Sequence, residues 1–192
     1  MDVLFVSANS RDEYIDIERE HRTLQKLVET GDHSLRVLPA AEIEDLRDAL
    51  RANEKERAFD ILHFSGHVTE EESLQMRGEG RRTEFLSGET LIEFLKGSRV
   101  KLVVLNACHS EALAVSLCEV VPAAIGTTRK IRDVAARRFT RHFYSALKDD
   151  ASAKGAFEAA LRKEKPSASP AYIYAGRTIQ LGRVPPKLEE GR

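Results

Sequence analysis

Cysteine is scarce in this chain: of 192 residues, only Cys108 and Cys118 carry a thiol. Two cysteines cannot build the disulfide framework of a small secreted domain. They point to a reducing compartment, so a cytoplasmic location is expected. Long apolar runs are missing too, and nothing approaches the roughly 20 residues that span a bilayer. Met1-Asp2-Val3 opens the chain without the basic region or apolar stretch of a secretory signal. Net charge is only −1, so neither nucleic acid nor a membrane surface is expected as a partner. Residues 7–12 contain no glycine, and neither a P-loop nor a dinucleotide fingerprint occurs, which argues against nucleotide binding. No Cys-x-x-Cys is present, so Cys108, His109 and His67 would leave zinc short of ligands, and no metal or other cofactor is expected.

What is present suits a single globular domain. The chain is 42% hydrophobic and 32% charged, enough apolar material for a real core at this length. Residues 1–184 are expected to form one domain and residues 185–192 a polar tail. Short apolar runs alternate with helical patterns. Strands are predicted at 3–6, 34–38, 61–64, 102–105 and 122–128, with a last strand or broken pair at 171–174 and 178–181. Helices are predicted at 14–30, 41–57, 91–95, 133–147 and 153–163. In the first helix Ile17, Leu24, Leu27 and Val28 share one face. Residues 68–86 break the alternation, with two weakly apolar runs around Gly-rich, charged 77–82, and predict a hairpin or surface excursion. The alternation defines the class as α/β with a mostly parallel sheet.

Chemistry concentrates at two strand ends. Leu102-Val103-Val104-Leu105 reads as a strand buried on both faces, and Asn106-Ala107-Cys108-His109-Ser110 follows it directly. A helical pattern begins at Glu111. Cys108 therefore sits between the carboxyl end of a strand and the start of a helix. Ligands bind at such strand ends in open α/β sheets, and the start of a helix dipole favours the nucleophilic form of a thiol. The run 61–64 is a second buried strand, broken at Ser65-Gly66 with His67 just beyond. If the two strands are parallel neighbours, His67 and Cys108 emerge on one edge, the minimum for thiolate catalysis. Cys118, with Ala114 and Val115, reads instead as a core thiol on a helix face. His63, inside its strand, reads as structural, and His109 as a residue at the helix start.

The pair His63-Phe64-Ser65-Gly66-His67 and Leu105-Asn106-Ala107-Cys108-His109-Ser110 resembles the CHAT domain, a branch of the caspase-like cysteine peptidases. The segments 4–9, 86–91, 124–128 and 142–147 are similar to CHAT segments in the same order, so the resemblance covers nearly the whole chain. It implies a caspase-like three-layer sandwich with a mostly parallel central sheet of about six strands. It also implies a cysteine endopeptidase, with Cys108 as nucleophile and His67 as general acid/base. The backbone N–H of Cys108, with that of Gly66 or Val68, would hold the oxyanion. Peptide hydrolysis would pass through a thioester. The implied setting is an effector of bacterial defence or cell death, acting on a protein or peptide and switched on by a partner protein.

Two positions depart from the pattern. Val68 stands where most relatives have Gly, and a β-branched residue rarely tolerates positive φ. Asn106 stands where metacaspases have the Asp that helps bind a basic P1 side chain. Asp12, Glu13 and Asp133, near predicted strand ends, are the candidate replacements beside Asn106 for contacting substrate. Val68 is also the best sequence support for the alternative, a catalytically silent interaction module that binds a partner through the same sheet edge.

Overall fold

The computed structural model describes residues 1–9, 15–28, 33–51, 59–149, 152–163 and 171–181. In chain order the elements are β1 (Asp2–Ser7), α1 (Ile17–Val28), β2 (Ser34–Leu38), α2 (Ile43–Arg51), β3 (Ile61–Ser65), β4 (Leu74–Arg77), β5 (Thr83–Leu86), α3 (Gly88–Leu95), β6 (Leu102–Asn106), α4 (Glu111–Leu117), β7 (Ala123–Thr127), α5 (Asp133–Lys148), α6 (Ala153–Arg162) and β8 (Tyr172–Gly176). Six strands form the central sheet in the order β2-β1-β3-β6-β7-β8. All pairings are parallel except β7–β8. The predicted α/β class and mostly parallel six-stranded sheet are what the fold shows, in a form consistent with a caspase-like sandwich.

The apolar runs are buried because both sheet faces are covered. Every residue of β3, β6 and β7 is buried. One face packs Leu46, Leu91, Leu95, Leu113 and Leu117 against Leu62, Val103 and Leu105, so α2, α3 and α4 lie there. The other face packs Leu24, Phe139, Phe143 and Phe157 against Phe5, Ile61 and Val104, which places α1, α5 and α6 opposite. Aromatic packing fastens that second layer: the Phe139 and Tyr172 rings stack with centroids 3.8 Å apart. Truncating one such buried ring to Ala costs about 3–5 kcal/mol.

Local signals set several boundaries. Ser87 caps α3, its hydroxyl accepting the Thr90 N–H at 3.2 Å. Gly97 follows that helix at φ +77°, a left-handed stop that suits glycine. The hairpin at β4–β5 forms as predicted, but it is more than a surface excursion. Leu74, Met76 and Leu86 are buried in the core, while Phe85 on the other face is 58% exposed. Residues 178–181 form no strand, so β8 alone closes the sheet. The ends of the first two predicted helices, residues 29–30 and 52–57, lie outside the described residues, as does the tail 185–192. Among the described residues no helix is long and apolar enough to cross a membrane.

Candidate active site

The β3–β6 ladder decides the position of the site. Its last register pair is Ser65↔Asn106. His67 follows Ser65 by two residues and Cys108 follows Asn106 by two, so both leave the same sheet edge side by side. They line one cleft of about 580 Å³, together with Gly66, Val68, Gln75, His109 and the 130–134 segment. A side chain at 66 has no room. An added Cβ would lie 2.7 Å from the Ala8 carbonyl oxygen and 2.8 Å from the Phe64 ring, so glycine lets the turn before His67 fold against β1. His67 is held by its backbone as well, its carbonyl accepting the Gln75 N–H at 2.9 Å from β4.

The turn carrying Cys108 is pinned from below. The Ser110 hydroxyl donates to the Ala107 carbonyl at 2.9 Å and accepts the Thr127 N–H at 3.0 Å. The Thr127 hydroxyl donates to the same Ala107 carbonyl at 2.5 Å. Gly126 allows this approach, since a Cβ there would sit 2.6 Å from the Ser110 carbonyl oxygen. Cys108 is half-buried. Its sulfur accepts the Ile131 N–H at 3.4 Å and faces the Ile131 carbonyl at 3.9 Å. Val68 does not adopt the positive φ that a β-branched residue resists: among the described residues, positive φ outside glycine occurs at Ala40, Glu72 and His109. His109, at φ +54°, is exposed on the cleft wall directly after the thiol. The helical residues of α4 begin at Glu111, with Ser110 at the cap position, so His109 lies in the turn before the helix.

Under the cleft lies a buried polar cluster built on Glu20, which is only 2% exposed. Its Oε1 accepts from His63 Nε2 at 2.9 Å, Asn106 Nδ2 at 2.5 Å and the Thr140 hydroxyl at 2.8 Å. Its Oε2 accepts from the Ser65 hydroxyl at 2.8 Å. A carboxylate can only accept, so His63 Nε2 carries the proton, and Nδ1 meets the Tyr144 hydroxyl at 3.0 Å. Burial would raise the Glu20 carboxyl pKa. The hydrogen bond and attraction of His63, then the hydrogen bonds of Asn106 and Ser65, outweigh it and hold the carboxyl below its ordinary value. Burial, reinforced by the Glu20 charge, pushes the Tyr144 hydroxyl well above its ordinary range. Taking a carboxylate out of water costs several kcal/mol unless hydrogen bonds replace the lost hydration, and four donors do so here.

The substrate-contact candidates divide. Asn106 is 4% exposed. Its amide donates to Glu20 and Thr140, and its oxygen accepts the Tyr172 hydroxyl at 2.5 Å, so its side chain is engaged within the cluster. Asp133 lines the cleft at the start of α5, where its Oδ2 accepts the Asp16 N–H at 3.0 Å. Asp12 and Glu13 lie outside the described residues. Asp16, which sequence did not single out, also lines the cleft and pairs with Arg19 and Arg137. Glu20 was missed as well, although a signal exists: it falls on the inward stripe of α1 beside Ile17, Leu24 and Val28, an acid where periodicity calls for an apolar residue. Cys118 differs from Cys108. It donates to the Ala114 carbonyl at 3.4 Å, and burial pushes its thiol pKa up. Among the described residues no three His, Cys, Asp or Glu side chains gather as metal ligands.

Fold and site together define an α/β domain with a thiol and an imidazole at adjacent strand ends over one cleft. The chain belongs to the CHAT domain family, whose description matches residues 7–173. It is 25% identical over 154 residues to a protein of Gillisia limnaea named "Probable protease". That match covers 76% of this chain and 26% of the relative, so the chain corresponds to about a quarter of the longer protein. Together these mark a protease-like family.

Proposed function

We propose that this domain is a cysteine endopeptidase. One observation carries the proposal: His67 and Cys108 leave adjacent in-register strands and line the same cleft. His67 takes the Cys108 proton, and the sulfur attacks the scissile carbonyl carbon. The carbonyl oxygen gains negative charge and is held by the N–H of Cys108 with that of Gly66 or Val68. The C–N bond then breaks, and His67 returns its proton to the leaving amine, leaving a thioester. Water, deprotonated by His67, attacks the thioester carbonyl, and the released sulfur recovers the proton. Asp133 and Asp16 offer anionic contacts to a basic P1 side chain, and Lys130 and Arg132 line the same cleft. The family resemblance and the name of the Gillisia relative support this reading. As a further part of the proposal, resting on the family resemblance alone, the domain is a cytoplasmic effector of bacterial defence or cell death that acts on a protein substrate and is switched on by a partner protein.

The second reading is the silent interaction module. Its support is the sulfur of Cys108, which already accepts the Ile131 N–H. Val68, which replaces the usual Gly and does not take positive φ, remains its support from sequence. Exposure to peptidyl acyloxymethyl ketones with Arg or Asp at P1, followed by mass spectrometry, tests the peptidase reading. Adduct at Cys108 with one P1 type supports the peptidase. No adduct, with Cys108 still open to iodoacetamide, means an unformed site, either a peptidase awaiting its partner protein or the silent module.

A further inference from the structure

We propose that Glu20 is a positioning residue whose buried carboxylate ties together the last rung of the β3–β6 ladder and thereby sets the spacing of His67 and Cys108. The inference rests on the peptidase reading for its catalytic consequence, not for its geometry. Regular pairing between β3 and β6 ends at Ser65↔Asn106. Both reactive residues lie two positions beyond that rung. Glu20 reaches this rung from α1 and bonds both of its members: Oε2 takes the Ser65 hydroxyl and Oε1 the Asn106 amide. The carboxylate is a cross-brace at the point where the sheet stops holding the two chains together.

The surroundings fix the brace. Thr140 from α5 donates to Oε1. His63 from β3 donates to the same oxygen; its other ring nitrogen meets the Tyr144 hydroxyl on the side away from the carboxylate, outside the brace itself. Tyr172 of β8 holds the far side of Asn106. All of these residues are at most 6% exposed, so the network has few alternative arrangements. A buried charge is an inefficient source of stability, because well-packed apolar groups often serve as well or better. Its position at the reactive strand ends has a simpler explanation in geometry. Misplacing a catalytic group by about 1 Å can cost about 100-fold in rate.

The test uses four variants of the full chain. Glu20→Ala removes the brace, and Ser65→Ala cuts one arm with little change in volume. In Glu20→Gln the amide oxygen can accept from His63, Asn106 and Thr140 while its NH₂ donates to Ser65, so the brace is rebuilt without charge. Tyr144→Phe perturbs the same cluster but touches neither arm. Two readouts are taken: hydrogen exchange of peptides covering 64–68 and 105–109, and the saturation rate and half-saturation concentration for Cys108 adduct formation with the acyloxymethyl ketone. Glu20→Ala and Ser65→Ala should speed exchange at both strand ends about fivefold or more, the weight of one hydrogen bond. They should slow the saturation rate about 10- to 100-fold with half-saturation unchanged. Glu20→Gln should restore most of both, and Tyr144→Phe should lower thermal stability while leaving both in place.

The proposal is overturned if exchange at the strand ends in Ser65→Ala rises no more than elsewhere in the sheet, or if Tyr144→Phe slows adduct formation as much as Ser65→Ala. If the wild-type chain forms no adduct, it is either latent or the silent module, and hydrogen exchange alone decides whether Glu20 braces the rung.

Discussion

Ser65 and Asn106 face each other across the last rung of the β3–β6 ladder, and His67 and Cys108 each follow two residues later. Parallel pairing in register brings two side chains from distant parts of the sequence to one edge. The turns beyond the rung then aim them. Gly66 fits under the Ala8 carbonyl on one side, and Ser110 with Thr127 pins the Ala107 carbonyl on the other.

Cys108→Ala should form no adduct with the acyloxymethyl ketone while still melting cooperatively, losing at most about 1–3 kcal/mol because the Ile131 N–H gives up its sulfur acceptor. His67→Asn should form adduct about 10²- to 10⁴-fold more slowly, the usual weight of a general base. Wild-type reactivity in either variant would end the dyad assignment. Cys118→Ala is the control: adduct formation at Cys108 should be unchanged.

Stability at acid pH should report on Glu20. Its folded-state pKa lies below the ordinary 4.5, so between those two values the unfolded chain binds more protons than the folded one. The stabilisation is present above 4.5 and is lost as pH falls through the folded value. Glu20→Gln cannot titrate. Its melting temperature should fall less steeply than the wild type's below pH 4.5, a comparison that thermal melts at several pH values would settle. Parallel curves would contradict the direction assigned to Glu20.

The turn beneath the nucleophile should be sensitive to single atoms. Ser110→Ala leaves the buried Thr127 N–H without its acceptor, which should cost about 1–3 kcal/mol in urea denaturation. Gly126→Ala should slow Cys108 labelling by iodoacetamide, because its Cβ would displace the Ser110 carbonyl. If it labels at the wild-type rate, the turn tolerates that displacement.

The two faces of the β4–β5 hairpin should respond oppositely. Phe85→Ala, on the exposed face, should change stability by less than about 0.5 kcal/mol. Leu86→Ala, buried in the core, should cost about 2–5 kcal/mol. Deleting the hairpin should therefore unfold the domain and not merely alter turnover. A cooperative melt near the wild-type temperature after deletion would refute this.

The sequence by itself determined the α/β class, the order of the elements and the two reactive strand ends. These are local properties. Apolar runs such as Leu102–Leu105, helical spacing after Glu111 and the break at Ser65-Gly66 can each be read in a window of a few residues. The hairpin was legible too, but its buried face was not, because burial of Leu74, Met76 and Leu86 depends on helices that pack from elsewhere. Tertiary structure alone decided that Asn106 turns into the buried cluster and bonds Glu20, Thr140 and Tyr172. It also placed Ile131 on the sulfur of Cys108 and the positive φ at His109. Glu20 shows the boundary most clearly. Its place on the inward stripe of α1 is written in the periodicity, but its four donors come from β3, β6 and α5, and only the closing of the sheet against α1 and α5 brings them within hydrogen-bonding reach.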